Sequence, residues 1–232
     1  MDPSQTTYRP PRRRPARETL EKILSAAEAQ LREQELDSFT IQSVLLRTGL
    51  SVGAFYSRFP DKTALLYALQ ERVHGRVEPR IQTDLAAQAE VSESLEEAVD
   101  HGFGILIRHV LSERELFRAF MMLSVFDPYM AQKGEDYNLE RIRALREFLA
   151  PYRHEIGHSD PDLAVDEAYA IYSSTMRGRL VYYGSANKMQ FGVTDDTLFN
   201  DLKESLALFL RGSRQSPNKA SAKGKSKTRG GR

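Results

Sequence analysis

Between Ser51 and Lys62 the chain gathers two serines, a tyrosine, an arginine and a lysine around small residues and two phenylalanines. Hydroxyls and cations of this kind donate hydrogen bonds to phosphate oxygens. Arg47 lies just ahead of the cluster. Other chemistries find less material. The chain has no cysteine, which removes disulfides, thiolate nucleophiles and cysteine-held metals. Of its five histidines (His74, His101, His109, His154 and His158), the last two are four apart, with Glu155 and Asp160 nearby. No third ligand accompanies them, so no metal site is expected. No glycine-rich phosphate loop follows a strand, and no Ser/His/acid set has interpretable spacing. Neither an enzyme nor a cofactor is expected.

The elements that must position the cluster are short. Thr40 can cap a helix carrying Ile41, Val44 and Leu45. Gly49 suits the left-handed position that ends it. Ser51 can cap a second short helix, and Pro60 blocks its continuation, having no N–H and a ring that clashes with the preceding turn. Asp61 then favours a new start, with Leu65, Leu66, Leu69 and Val73 on one face. Two short helices around "RTGL" have helix-turn-helix size, and in such a unit the second helix enters the major groove by its N-terminal end. Ser51, Gly53 and Ala54 are small enough for close approach, while Phe55 or Phe59 can face inward. On periodicity alone, a small helical bundle with a glycine turn fits as well.

Ahead of this unit, Leu20, Ile23, Leu24, Ala27 and Leu31 form an apolar stripe for a helix starting near Arg17. Beyond residue 76 every segment reads as helix: 93–111, 113–126, 136–150, 161–183 and 195–210, with "PRIQTDLAAQAE" either a separate piece or an extension of the preceding helix. The expected fold is all-α, with nine or ten helices and no repeat. Net charge is +1, but residues 1–17 carry five arginines against one acid, and residues 211–232 carry eight bases and no acid. Basic tails therefore flank an acidic body, and such tails attract anionic polymers. The polar N-terminal stretch is unlike a secretory leader, and no apolar run nears the roughly 20 residues of a membrane span, so a cytoplasmic protein is expected.

Residues 18–76, and most of all "TGLSVGAFYSRFPDKTALL", resemble the N-terminal domain of TetR-type transcriptional regulators. The shared features are the glycine-hydrophobic-serine turn, the glycine before the aromatic pair, the Phe-Pro-Asp-Lys step and the leucines after it. The resemblance implies a basic arm (1–16, expected to be disordered), a three-helix DNA-binding head with its connecting helix (17–76), a helical effector-binding and dimerisation body (77–210) and a basic tail (211–232). It implies DNA contacts from Thr40, Ser51, Val52, Gly53, Ala54, Tyr56, Ser57 and Lys62, with Arg47 and Arg58 as further candidates. Two departures stand out. "ELDSFT" replaces the usual glycine before Thr40, so Asp37 or Ser38 must make that turn or the first helix runs on. Val52 and Ala54 replace polar donors; apolar side chains read a thymine methyl but offer no bidentate hydrogen bond. Arg12, Arg13 and Arg14 can compensate by entering the adjacent minor groove.

For the body, the resemblance implies a homodimer through 161–183 and 195–210, where Leu163, Ala164, Ala168, Ile171, Tyr172, Thr175, Leu198, Leu202, Leu206, Phe209 and Leu210 offer apolar faces that can equally complete a monomer core. It also implies an effector pocket, with Phe103, Ile107, Phe117, Phe120, Met121, Phe126, Tyr137, Phe148, Tyr169 and Met176 as candidate lining or plain core. The function expected is a sequence-specific transcriptional regulator on a palindromic double-stranded operator, a repressor released by a small apolar or aromatic effector. The rival is a helical interaction module that binds nucleic acid non-specifically through its tails.

Overall fold

The computed structural model describes residues 14–34, 36–183 and 192–212. Among these residues the architecture is all-α, with no strand. The helices are α1 (Arg14–Glu33), α2 (Ile41–Thr48), α3 (Val52–Tyr56), α4 (Lys62–Ala89), α5 (Leu95–Ser112), α6 (Arg114–Leu123), α7 (Pro128–Leu149), α8 (Pro161–Tyr183) and α9 (Asp195–Arg211). Turns of 3-10 helix cover Leu36–Ser38 and Ala150–Glu155.

The head is built from the stripe of α1, whose Leu20, Ile23, Leu24, Ala27 and Leu31 are buried with Val44, Phe55, Phe59, Leu65 and Leu69. Helix α1 begins at Arg14, three residues ahead of the expected start, so part of the anticipated arm is helical. Its end is tied down without a glycine. Asp37 and Ser38 sit in the 3-10 turn, and buried Gln30 ties that turn down, donating from Nε2 to Ser38 O at 3.2 Å and Ser43 Oγ at 2.5 Å.

Helix α4 runs unbroken from the head into the body, so "PRIQTDLAAQAE" extends it. The run contains Pro79. Proline has no N–H, so Gly75 O loses its donor one turn back. Glycine itself costs up to about 1 kcal/mol against alanine inside a helix, so 75–79 is the weakest turn of α4. A charged clasp joins head to body beside it. Glu28 of α1 meets Arg32, Arg72 and Arg76, and Glu113, before α6, meets Arg32 and Arg76. Burial alone would raise the Glu28 carboxyl, but the hydrogen bond from Arg76 and the charges of Arg32 and Arg76 hold it below the usual range.

In the body, α5 packs on α4, α7 and α9, while α8 lies against α6, α7 and α9. Helix α7 begins eight residues before the expected 136: Asp127 caps it by accepting from Met130 N, and Pro128 occupies its first turn. No helix among the described residues is long and apolar enough to cross a membrane.

Candidate functional site

The reading element is fixed from beneath. Phe55 and Phe59 are fully buried with ring centroids 5.6 Å apart, which sets the roll of α3. Each surrounding turn is capped. Thr40 accepts from Ser43 N at 3.1 Å in a reciprocal capping box, Gly49 adopts φ 67° and donates to Leu45 O, Ser51 accepts from Ala54 N at 3.2 Å, and Asp61 accepts from Ala64 N at 2.8 Å. With Phe55 inward, Ser51, Val52, Gly53, Tyr56 and Ser57 face solvent, Val52 at 59% and Tyr56 at 51% exposure.

Gly53 is the informative member. Its φ is not positive, and a Cβ built there would meet nothing nearer than Ser51 Oγ at 4.0 Å. Neither backbone strain nor internal packing calls for glycine here. A missing side chain on an exposed helix start leaves room for another body to approach the backbone.

The other candidate contacts divide. Ala54 is half-buried, and the Ser57 hydroxyl donates to Ala54 O at 2.9 Å. Lys62 holds Nζ 5.3 Å over the Phe39 ring. Arg58 is half-buried, with Nε lacking a hydrogen-bond partner. Arg47 is turned away from the cluster: it forms a two-pronged pair with Glu33, at 3.0 and 2.5 Å, because α1 ends beside α2. Arg14 donates to Glu18 one turn along α1. Arg12 and Arg13, with most of both basic tails, lie outside the described residues.

A second candidate site is a cavity of about 270 Å³ in the body, bounded by α4, α6, α7 and α8. Phe117, Phe120 and Met121 line it, joined by Met130, Ala131 and Val125. The other candidate lining residues lie elsewhere. Phe126 is 89% exposed in the α6–α7 turn. Phe103 and Ile107 are buried on α5, Phe103 with its ring 5.6 Å from Tyr172, and Met176 is buried on α8. Phe148 faces a separate groove beside Leu85 and Ala144. Tyr169 donates to Asn138 Oδ1 at 2.9 Å, and Tyr137 stacks on His74 at 3.7 Å, each bracing a lining residue from behind. Burial pushes the Tyr137 hydroxyl up to about 12.

The polar lining, Gln70, His74, Glu135, Asn138, Arg141, Ser173 and Arg177, escapes a search for aromatics and methionines. Six lining residues come from α7, four of them ahead of residue 136. The Asp127-Pro128 pair, the same capping signal as Asp160-Pro161, marks that earlier start. Behind the wall, Arg141 grips Glu78 with Nε to Oε2 at 2.9 Å and Nη2 to Oε1 at 2.5 Å, and His74 Nδ1 lies 2.9 Å from Glu78 Oε1. Burial would raise the Glu78 carboxyl, but His74 and Arg141 hold it below the usual range. Burial pushes the His74 imidazole down against the pull of Glu78.

The outer surface of α8 and α9 exposes Leu163, Ile171, Tyr182 and Leu208. Ala164, Ala168, Tyr172, Leu202, Leu206 and Leu210 are instead buried within the protomer. The two paired histidines go separate ways, His154 to Pro151 O and His158 to Phe209 O.

Residues 23–69 match the family described as bacterial regulatory proteins, tetR family. No curated protein matches the chain significantly. Among solved structures, a transcriptional regulator from Rhodococcus sp. Rha1 superposes with a TM-score of 0.63 at 17% identity, over 85% of this chain and 99% of that one. A bacterial regulatory protein in the tetR family from Rhodococcus RHA1 gives 0.58 at 13% identity, over 83% and 96%. SmeT, the repressor of the Stenotrophomonas maltophilia multidrug efflux pump SmeDEF, gives 0.55 at 23% identity, over 84% and 91%. At these identities the likeness is one of fold, and it spans head and body together. The head, residues 23–69, thus matches the TetR-type regulator family, and the chain as a whole shares the all-α fold of these structures.

Proposed function

We propose that this protein is a homodimeric, sequence-specific DNA-binding regulator, a cytoplasmic repressor released when a small molecule fills the cavity of its body. The observation that carries the reading is the outward face of α3: an exposed Ser51-Val52-Gly53 start with Tyr56 and Ser57 behind it, anchored by buried Phe55 and Phe59. That face presents hydroxyls for phosphates, Val52 for a thymine methyl, and a glycine for close approach. Thr40, Ala54, Arg58 and Lys62 flank it in supporting roles. The fold shared with SmeT, itself a repressor, supports the repressor reading.

The dimer reading draws on Leu163, Ile171, Tyr182 and Leu208, exposed apolar side chains of α8 and α9 that two copies would cover. Two heads then meet two half-sites. Helix α4 carries the signal, because its Gln70 and His74 line the cavity while its first turns support the head. A ligand that alters the α4–α7 packing biases the separation of the heads.

Footprinting purified full-length protein across genomic DNA tests this function. The expected result is protection of pseudo-palindromic sites with half-sites spaced by about one helical turn or a multiple of it. Protection without sequence preference would overturn it.

A further inference from the structure

The cavity holds a buried hydrogen-bond acceptor that nothing among the described residues satisfies. Gln70 is 2% exposed and donates from Nε2 to Met130 O at 3.3 Å, while its Oε1 has no hydrogen-bond partner. A carbonyl neighbour accepts only from the amide nitrogen, so Oε1 is the open end. His74 adds a second acceptor. Its Nδ1 faces the Glu78 carboxylate, which places the ring proton there and leaves Nε2 with a lone pair and no partner among the described residues. Glu135, solvent-exposed like Arg177, adds carboxylate oxygens at the rim.

Several of the donors are committed or open to solvent, while Arg141 Nη1 and the Ser173 hydroxyl are not engaged among the described residues. Arg141 spends Nε and Nη2 on Glu78. Asn138 receives the Tyr169 hydroxyl and points its amide nitrogen toward Glu135 Oε2 at 3.5 Å. Arg177 is solvent-exposed. The remaining walls, Phe117, Phe120, Met121 and Met130, suit ring faces and edges. The volume of about 270 Å³ lies just below the range of drug-sized pockets and suits one ring with a short substituent.

Resting on the effector reading above, we infer that the cavity's ligand is a compact aromatic molecule carrying an O–H or N–H donor, which it presents to Gln70 Oε1. A ligand without the donor leaves Gln70 Oε1 buried and unpaired. A carboxylate brings no donor and so cannot satisfy Gln70 Oε1. A site built to pair a ligand hydroxyl discriminates against analogues that lack it far more sharply than an apolar pocket discriminates by size.

The test is calorimetric titration and thermal shift of the full chain with three probes of one size: 4-ethylphenol, its isomer 4-methylanisole, and 4-methylbenzoate. The phenol is expected to bind about tenfold or more tightly than the ether, with the carboxylate weakest. Gln70→Leu is expected to erase the phenol's advantage while the ether keeps its affinity. Equal affinities in the unsubstituted protein, a preferred carboxylate, or no binding by any probe at millimolar concentration overturns the donor inference, whether or not Gln70→Leu folds. Gly134→Phe separates this inference from the effector-site reading. Gly134 lines the cavity, and a Cβ added there meets nothing within 4 Å. If phenol binding survives Gly134→Phe undiminished, the ligand sits elsewhere and the cavity reading itself falls.

Discussion

Arg141 of α7 and Glu78 of α4 face each other fork to fork inside the body, joined by two hydrogen bonds and almost sealed from water. The pair ties the helix that reaches the head to the helix that walls the cavity. Removing one partner strands a buried charge, which costs roughly 3–5 kcal/mol. Arg141→Met and Glu78→Gln are each expected to lower the midpoint of urea unfolding by an amount of that order. The paired substitution Arg141→Met with Glu78→Leu is expected to recover most of it, because a well-packed apolar pair can replace a buried ion pair. Unchanged midpoints in the single variants, or a double loss equal to their sum, would show the pair to be structurally idle.

His74 gives stability a pH dependence of known sign. Burial lowers its folded pKa below the ordinary 6.5, so on acidification the unfolded chain takes up the proton first. Stability is expected to fall as pH drops below about 6.5. Glu78, held below 4.5 when folded, adds a second decline under about pH 4.5. His74→Gln, which keeps a donor toward Glu78, is expected to flatten the upper part of the profile and leave the lower part. Melting temperatures between pH 4 and pH 8 measure both, and a native profile unchanged by His74→Gln would contradict the assignment.

Gly53 separates folding from DNA contact. Its Cβ direction is open inside the chain and its φ suits any residue, so Gly53→Ala is expected to leave stability unchanged or raise it by up to about 1 kcal/mol. Gly53→Val is expected to weaken operator binding by about tenfold or more, the order of one lost base contact. Anisotropy titration of labelled operator reads the effect, and full affinity in Gly53→Val would remove α3 from the groove.

The Gly75–Pro79 turn is expected to be the soft point of α4. Gly75 has nothing within 4 Å of an added Cβ, so alanine fits there, and Pro79→Ala restores the missing donor to Gly75 O. The double substitution Gly75→Ala with Pro79→Ala is expected to slow amide exchange across this turn. It is also expected to raise the ligand concentration needed to release operator, with operator affinity itself retained. Unchanged exchange and release would place the hinge elsewhere.

The head was legible in the sequence because local chemistry dictates it. Thr40, Gly49, Ser51 and Asp61 each do at their own turn what their side chains or backbone freedom favour, and Phe55 and Phe59 follow from helical spacing. The body was legible only as helices. Its cavity depends on how four helices pack, and packing distributed the aromatics against expectation: Phe126 outward, Phe103 and Ile107 into the core, Phe148 to another groove. Arg47 likewise reads as a free cation until the end of α1 brings Glu33 beside it. Gln70 and His74 carry no periodic signal, since a polar residue on a buried face is recognisable only once its neighbours are known.

Under the proposed function a dimer of this chain reads a DNA sequence. The most direct measurement is the affinity of purified full-length protein for its footprinted site against random DNA of equal length, with the stoichiometry read by sedimentation. Two chains per site and a preference of order 10³–10⁷ at physiological salt are expected, lost when Ile171→Arg disrupts the apolar surface of α8 and α9. Equal affinity for both DNAs, falling steeply with salt and indifferent to Ile171→Arg, would contradict it and leave a chain that binds polyanions through its basic tails.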